Sequence, residues 1–418
     1  MSAPSQLALP CIKRVAVNNA VAMPGPWTIV AIVTATQMIV AMSNVILPTI
    51  APKLAEVLGV SPVLIGYQVS LTFGAATLAT IFGGNAVLRY GAARTTQIAM
   101  LCCAAGMMLF AFPNIPAIAL GSVAIGAAAG MVNPAAAHLL VSHTPGARRN
   151  LMFSIKQTGV PVGGVVMSLT APAIAVTFGY QWSLLAVGVF ALIVLALIQP
   201  HRKAWDADRG AAGKEKRATF GGVPLVVRTP GLRWISLVAM IFSGIQRCVM
   251  SFTVIYLVAE KNLGLIEAGV LFSVVQVGGS VARICWGWLA DRLRSSIAVL
   301  AIIGVVAAAS ILAMLHVDMS NKLLIYIIFF VLGATSLGWN GVFHAEGARL
   351  SPPGLVSMVA AGTTFFVFGG VLLGPALFAM VYGVLQSYSQ TFQLMMIPSL
   401  IALVLLEAAR RATPREKA

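Results

Sequence analysis

Charge is what this 418-residue sequence lacks: only 9% of it is Asp, Glu, Lys or Arg. A soluble domain carries about a quarter. A deficit spread along the whole chain excludes a globular enzyme with a large core and points to an integral membrane protein. Acidic residues are the scarcest, 11 against 27 Lys and Arg, for a net charge of +16. Cysteine is sparse too. Cys11, Cys102, Cys103, Cys248 and Cys285 form no CxxC pair and no disulfide-framework spacing, so neither metal nor redox chemistry is indicated. HExxH, GxSxG, P-loop and paired-carboxylate patterns are absent, which leaves nothing to perform catalysis or to drive a pump with ATP. No cofactor is expected. The first twenty residues lack a continuous apolar stretch before a cleavage site, so the first apolar run reads as an uncleaved membrane helix.

What is present is apolar length. The chain is 59% hydrophobic with a mean hydropathy of +0.94. About 20 apolar residues span a bilayer. That rule predicts runs near 27–50, 63–88, 95–113, 116–141, 151–177 and 182–199, then 233–259, 266–290, 296–316, 322–345, 355–382 and 391–409. The prediction is an all-α integral membrane protein of about twelve transmembrane helices. It divides into an N-terminal segment (1–26), a six-helix bundle (27–199), a polar linker (200–232), a second bundle (233–411) and a tail (412–418).

The basic residues sit in the gaps between runs. One side of the membrane receives Lys13, Arg14, Arg89, Arg94, Arg148, Arg149, the linker cluster, Arg292, Arg294, Arg349 and Arg410, Arg411, Arg415 and Lys417. The other receives Lys53, Lys261 and Lys322. Positive charge is retained on the cytoplasmic side. The expected topology therefore has both termini and the linker in the cytoplasm, in the inner membrane. A nucleic-acid binder would cluster its basic residues on a soluble face, so nucleic acid is not an expected partner.

The halves echo each other. GNAVLRYG (84–91) follows the second run and GWLADRLR (287–294) follows the eighth; HTPGARR (143–149) and SPPG (351–354) also correspond. Parallel repeats about the membrane normal are a known transporter plan. GWLADRLR resembles the G-x-L-A-D-R-x-G-R-K/R loop of the major facilitator superfamily. Gly287, Leu289, Ala290, Asp291 and Arg292 match it, while Arg294 stands where the family has its second glycine. In the first half Gly84, Arg89 and Gly91 match, but Leu88 replaces the aspartate. The resemblance implies two pseudo-symmetric six-helix bundles rocking about a mid-membrane site, with Asp291 and Arg292 as part of a gating latch. Any latch in the first half is weaker or built otherwise.

Ionisable residues inside spanning helices are costly and mark function or pairing. Here they are all cationic: Lys156 in the fifth run, Arg247 in the seventh and Arg283 in the eighth, with no Asp or Glu in the middle of any run. A positive interior favours an anion, and the arginine fork suits a carboxylate. The segment SVARICWGWLADR is similar to the eighth helix of monocarboxylate-transporting members, in which an arginine before the loop engages the substrate. For Arg283 the alternative is a structural arginine on helix-end carbonyls; for Lys156 it is an ammonium reaching the interface. Gln157 could line the cavity beside Lys156, and Gln37, Asn44, Tyr256, Gln276, Trp339 and Asn340 complete a candidate lining, each of them taken alone more often an interhelical bonding or core residue than a ligand.

Gly159, Gly163 and Gly164, with Pro161, make a smooth, bendable stripe, and Gly370 and Gly374 make another before Pro375. Both are expected to pack closely at the boundary between bundles. His138, His344 and Glu346 lie toward helix ends and read as satisfied groups rather than proton carriers. The leading function is secondary transport of a small organic anion by a monomer, coupled to H+ or a counter-anion. The alternatives are an exporter of drug-like compounds and a non-transporting membrane sensor on the same fold.

Overall fold

The computed structural model describes residues 25–143, 149–207, 222–352 and 355–412. Lys13, Arg14, Arg148, Arg209, Lys214, Lys216, Arg217, Arg415 and Lys417 lie outside these, as does Cys11 and part of each of the 143–149 and 351–354 repeats. Twelve spans among the described residues are long and apolar enough to cross a membrane.

The first six spans are α1 (Pro26–Leu58), α2 (Ile65–Tyr90), α3 (Ala92–Ala111), α4 (Ile115–His143), α5 (Arg149–Thr177) and α6 (Tyr180–Ile198). Two short helices follow, α7 (Arg202–Trp205) and α8 (Gly222–Arg228). The second set is α9 (Pro230–Ala259), α10 (Leu265–Leu293), α11 (Ser296–His316), α12 (Lys322–Gly338) with α13 (Asn340–Arg349), α14 (Val356–Leu385), and α15 (Tyr388–Leu394) with α16 (Met396–Ala412). The tenth and twelfth spans are each broken once, at Trp339 and Met395.

Helices form because lipid offers no partner to an unpaired backbone group. Hydroxyl side chains follow the same rule and donate back to their own helix: Thr36 to the Ile32 carbonyl at 2.8 Å, Thr253 to Val249 at 2.6 Å. Packing repeats between the halves. α1 pairs with α5, α2 with α4 and α3 with α6; likewise α9 pairs with α14, α10 with α12 and α11 with α16. This is the two-bundle arrangement expected of duplicated halves.

The face carrying the linker is here called the linker face, and the opposite one the distal face. Contacts between bundles gather from mid-membrane toward the distal face. The Ser70 hydroxyl of α2 donates to the Leu372 carbonyl of α14 at 2.6 Å, and Gly66 lies against the Pro375 carbonyl. Toward the linker face the bundles part: Gln157, Ile284, Trp288 and Asp291 are exposed, and nothing stands within 4 Å of a Cβ built on Gly287.

The ends of the bundles are tied by carboxylates. Glu260, just after α9, accepts from the Tyr388 and Ser389 amides and from the Ser387 and Ser389 hydroxyls, which caps α15 at the distal face. Asp206, just after α7, accepts from the Ala93 and Arg94 amides at 2.7 and 3.1 Å and caps α3 at the linker face. It stands against Gly91, the last residue of the first-half repeat, whose φ is +93°. Asp206 serves the N-terminal bundle itself and fixes where the linker leaves it.

In the second half Arg294 has φ +49°, the left-handed region. The family's glycine at this position has a backbone reason, because only glycine adopts that conformation without a Cβ penalty. Arg294→Gly is expected to stabilise the protein by about 1 kcal/mol, read as a raised melting temperature of the purified protein.

Candidate functional site

Arg247 sits near the middle of α9. Its guanidinium carbon lies 4.0 Å from the centre of the Phe73 ring, on α2 of the other bundle. Among the described residues it forms no hydrogen bond and no ion pair. Ion pairs do form at Lys53–Glu56, Glu346–Arg349 and Glu407–Arg410, all at helix ends. Stacking on an aromatic face offsets part of the cost of a buried cation but leaves the N–H fork free to donate.

Beside Phe73 a tightly packed cleft is lined by Ser43, Asn44, Gln68 and Thr72. Gln68 donates to the Thr72 hydroxyl at 3.0 Å and to the Ser122 hydroxyl at 2.8 Å. On α1 the Asn44 amide donates to the Val40 carbonyl at 2.7 Å, while its oxygen and the Gln37 side-chain oxygen are buried without partners among the described residues. Unpaired buried acceptors are costly, and they gather where a polar ligand would supply donors. An apolar pocket of about 240 Å³ opens in the distal half between α1, α2 and α4, sharing Leu47 and Gln68 with that cleft. It holds no charged side chain.

Toward the linker face, Lys156 is only 5% exposed and its ammonium donates to Asn133 of α4 at 2.6 Å. It therefore does not reach the interface. Its neighbour Gln157, about 100° around the helix, is exposed. The Arg283 Nε leans on the Leu337 carbonyl at 3.4 Å, and Asn340 donates to the same carbonyl at 3.4 Å, so α12 brings these two together. Gln276 packs against Gly164 across the boundary between bundles.

Other candidates lie elsewhere. Tyr256 is fully buried in the distal half, donates to the Met314 carbonyl at 3.2 Å and meets Phe392 edge-on. Trp339 is buried between Phe242 and Phe343 in the C-terminal bundle. Glu346 is paired with Arg349 within α13, and His344 packs beside Phe343. His138 lies on α4.

In the loop motif, Arg292 lies over the Trp288 ring at 5.8 Å, Arg89 over Tyr90 at 5.3 Å, and Gly84 within α2. Asp291 is exposed with no side-chain bond among the described residues.

The glycine stripes correct one expectation. Cβ atoms on Gly159 and Gly163 would each stand 2.6 Å from an α1 carbonyl, of Thr34 and Met38. Gly370 and Gly374 likewise face Met240 and Gly244 of α9. Both pairs pack inside their own bundle rather than at the boundary. A four-residue spacing makes a smooth stripe but does not choose its neighbour. Only Gly164 faces the other bundle. Sequence reasoning also missed Phe73 and Asn133. Asn133 carried a signal, a lone amide before Pro134 inside an apolar run; Phe73 carried none among so many apolar neighbours.

Residues 33–375 match the Major Facilitator Superfamily. The chain belongs to that family. It is 25% identical over 413 residues to the gallate transporter of Pseudomonas putida, covering 87% of this chain and 88% of that one. An uncharacterized MFS-type transporter of Mycobacterium tuberculosis (strain CDC 1551 / Oshkosh) is 23% identical over 232 residues, 54% of this chain; the match spans about half, 50%, of that relative. The crystal structure of the nucleoside transporter NupG superposes with a TM-score of 0.78 at 12% identity, covering 93% of this chain and 100% of that one. That likeness concerns the fold. The family's members here are transporters, not enzymes.

Proposed function

We propose that this superfamily member carries a small organic carboxylate across the inner membrane by alternating access. The observation that carries the reading is Arg247, a cation at mid-membrane, stacked on Phe73 of the opposite bundle and without an anionic partner among the described residues. An anion that binds there neutralises the charge and touches both bundles at once, so its binding is coupled to their relative position. The gallate transporter's substrate, a carboxylate, supports the same class. Gln37 and Asn44 offer acceptors to hydroxyl or amide groups on the substrate. Arg283 and Lys156 extend the positive field toward the linker face.

The excess of Lys and Arg on the linker face supports its assignment to the cytoplasm, with both termini there. The present conformation then opens inward. The protein acts as a monomer, with H+ or a counter-anion balancing the substrate's charge. A thermal-shift screen tests the substrate class. Hydroxybenzoates and short monocarboxylates at about 100 times Kd should stabilise the purified protein by about 2.7 kcal/mol, a rise of several degrees. The matched neutral amides should leave the melting temperature unchanged. Equal shifts from amides and acids would reject an anion site.

A further inference from the structure

Helices α5 and α10 run antiparallel across the boundary between bundles, and their contacts keep one register. At the distal end a Cβ on Gly269 of α10 would meet α5 between the Ser168 carbonyl and the Pro172 ring, the latter at 2.7 Å. Two turns nearer the linker face, a Cβ on Gly164 would stand 2.5 Å from the Gln276 amide nitrogen. Between these contacts α10 advances seven residues and α5 eight from Pro172, about two turns on each, and a further seven-residue step returns a side chain to nearly the same face. The next step beyond Gln276 is Arg283, and the next beyond Gly164 is Gln157.

That rung is open in this structure. Gln157 is exposed and has no hydrogen bond among the described residues. Arg283 turns into its own bundle, where its single hydrogen bond among the described residues is the long one to the Leu337 carbonyl.

We propose that Gln157 and Arg283 form the next rung of this ladder when the linker-face halves of the bundles close, the Gln157 carbonyl oxygen accepting from the Arg283 guanidinium. Arg283 thus exchanges a neutral carbonyl in its own bundle for a side chain in the other, and Gln157 is the positioning residue that holds it in the closed state. A hydrogen bond from a charged donor is about twice as strong as one between neutral groups, so the pair favours closure without locking it. The inference rests on the alternating-access reading above, but not on the substrate being an anion.

The test is cross-linking in membranes, with the native cysteines replaced by alanine. The pair Gln157→Cys with Arg283→Cys is compared with Thr158→Cys with Arg283→Cys, which moves one partner about 100° around α5. A disulfide needs Cα atoms within about 7 Å, so on oxidation the 157–283 pair should cross-link about tenfold faster than the 158–283 pair. Equal rates, or no product from the 157–283 pair in protein that elutes as a single folded species, would overturn the rung. A second variant needs no cysteine. Gln157→Glu converts the bond to an ion pair and should slow maximal transport about tenfold by holding the linker face shut. Unchanged maximal transport by Gln157→Glu would also overturn it. Substrate binding that still depends on Arg247 would show that only the rung, not the transport reading, had failed.

Discussion

Arg247→Ala is expected to weaken binding of the substrate carboxylate about 30-fold or more, because truncating one partner of a buried charge pair costs about 2–5 kcal/mol. Titration of the purified variant measures this. Arg247→Lys separates charge from geometry. Lysine keeps the cation but loses the planar stack on Phe73 and the two-pronged donation to a carboxylate. It should recover only part of the affinity. Neither change should unfold the protein, since Arg247 bonds to no other described residue and touches the opposite bundle only through one ring.

A large effect on stability is expected at Gly91. Alanine there meets two obstacles. Its φ of +93° is strained for any L side chain, and its Cβ would overlap the Asp206 carboxylate that caps α3. Left-handed strain of about 1–2 kcal/mol adds to a lost cap of about 1 kcal/mol, so Gly91→Ala should cost about 3 kcal/mol in all. Asp206→Ala removes the cap alone and should cost less. In the double variant the overlap is gone, so its loss should fall short of the sum of the two single losses. Melting temperatures of the four proteins measure the cycle.

Both predictions depend on features that differ in how far the sequence reveals them. Arg247 is legible because a charge in the middle of an apolar run has few innocent explanations. The twelve spans are legible for the same reason in reverse, since lipid demands long uncharged runs. The partners are not legible. Asp206 caps a helix through an amide 113 residues earlier, and no local pattern links a capping carboxylate to so distant a backbone amide. Lys156 could be recognised as a cation, but not as the donor to Asn133, because which face of α5 meets α4 is decided by packing.

The glycine stripes show the same limit. Gly159, Gly163 and Gly164 lie within six residues, yet two serve α1 and one serves α10. Tyr256 and Trp339 combine a polar atom with a large apolar body, which suits a ligand pocket and a buried core equally well. The structure places both in the packed interior of the C-terminal bundle, Tyr256 bonded to a backbone carbonyl. Sequence thus identifies the unusual charges, whereas contacts decide which of the ordinary polar residues stand beside them.

Uptake of a labelled hydroxybenzoate into liposomes tests the account most directly, comparing wild type, Arg247→Ala and empty vesicles. Wild-type protein should take up the acid and be blocked by other carboxylates but not by their amides, while Arg247→Ala falls to the level of empty vesicles. Uptake by Arg247→Ala at the wild-type rate, in protein of unchanged melting temperature, would contradict the assignment of Arg247 as the substrate's anchor.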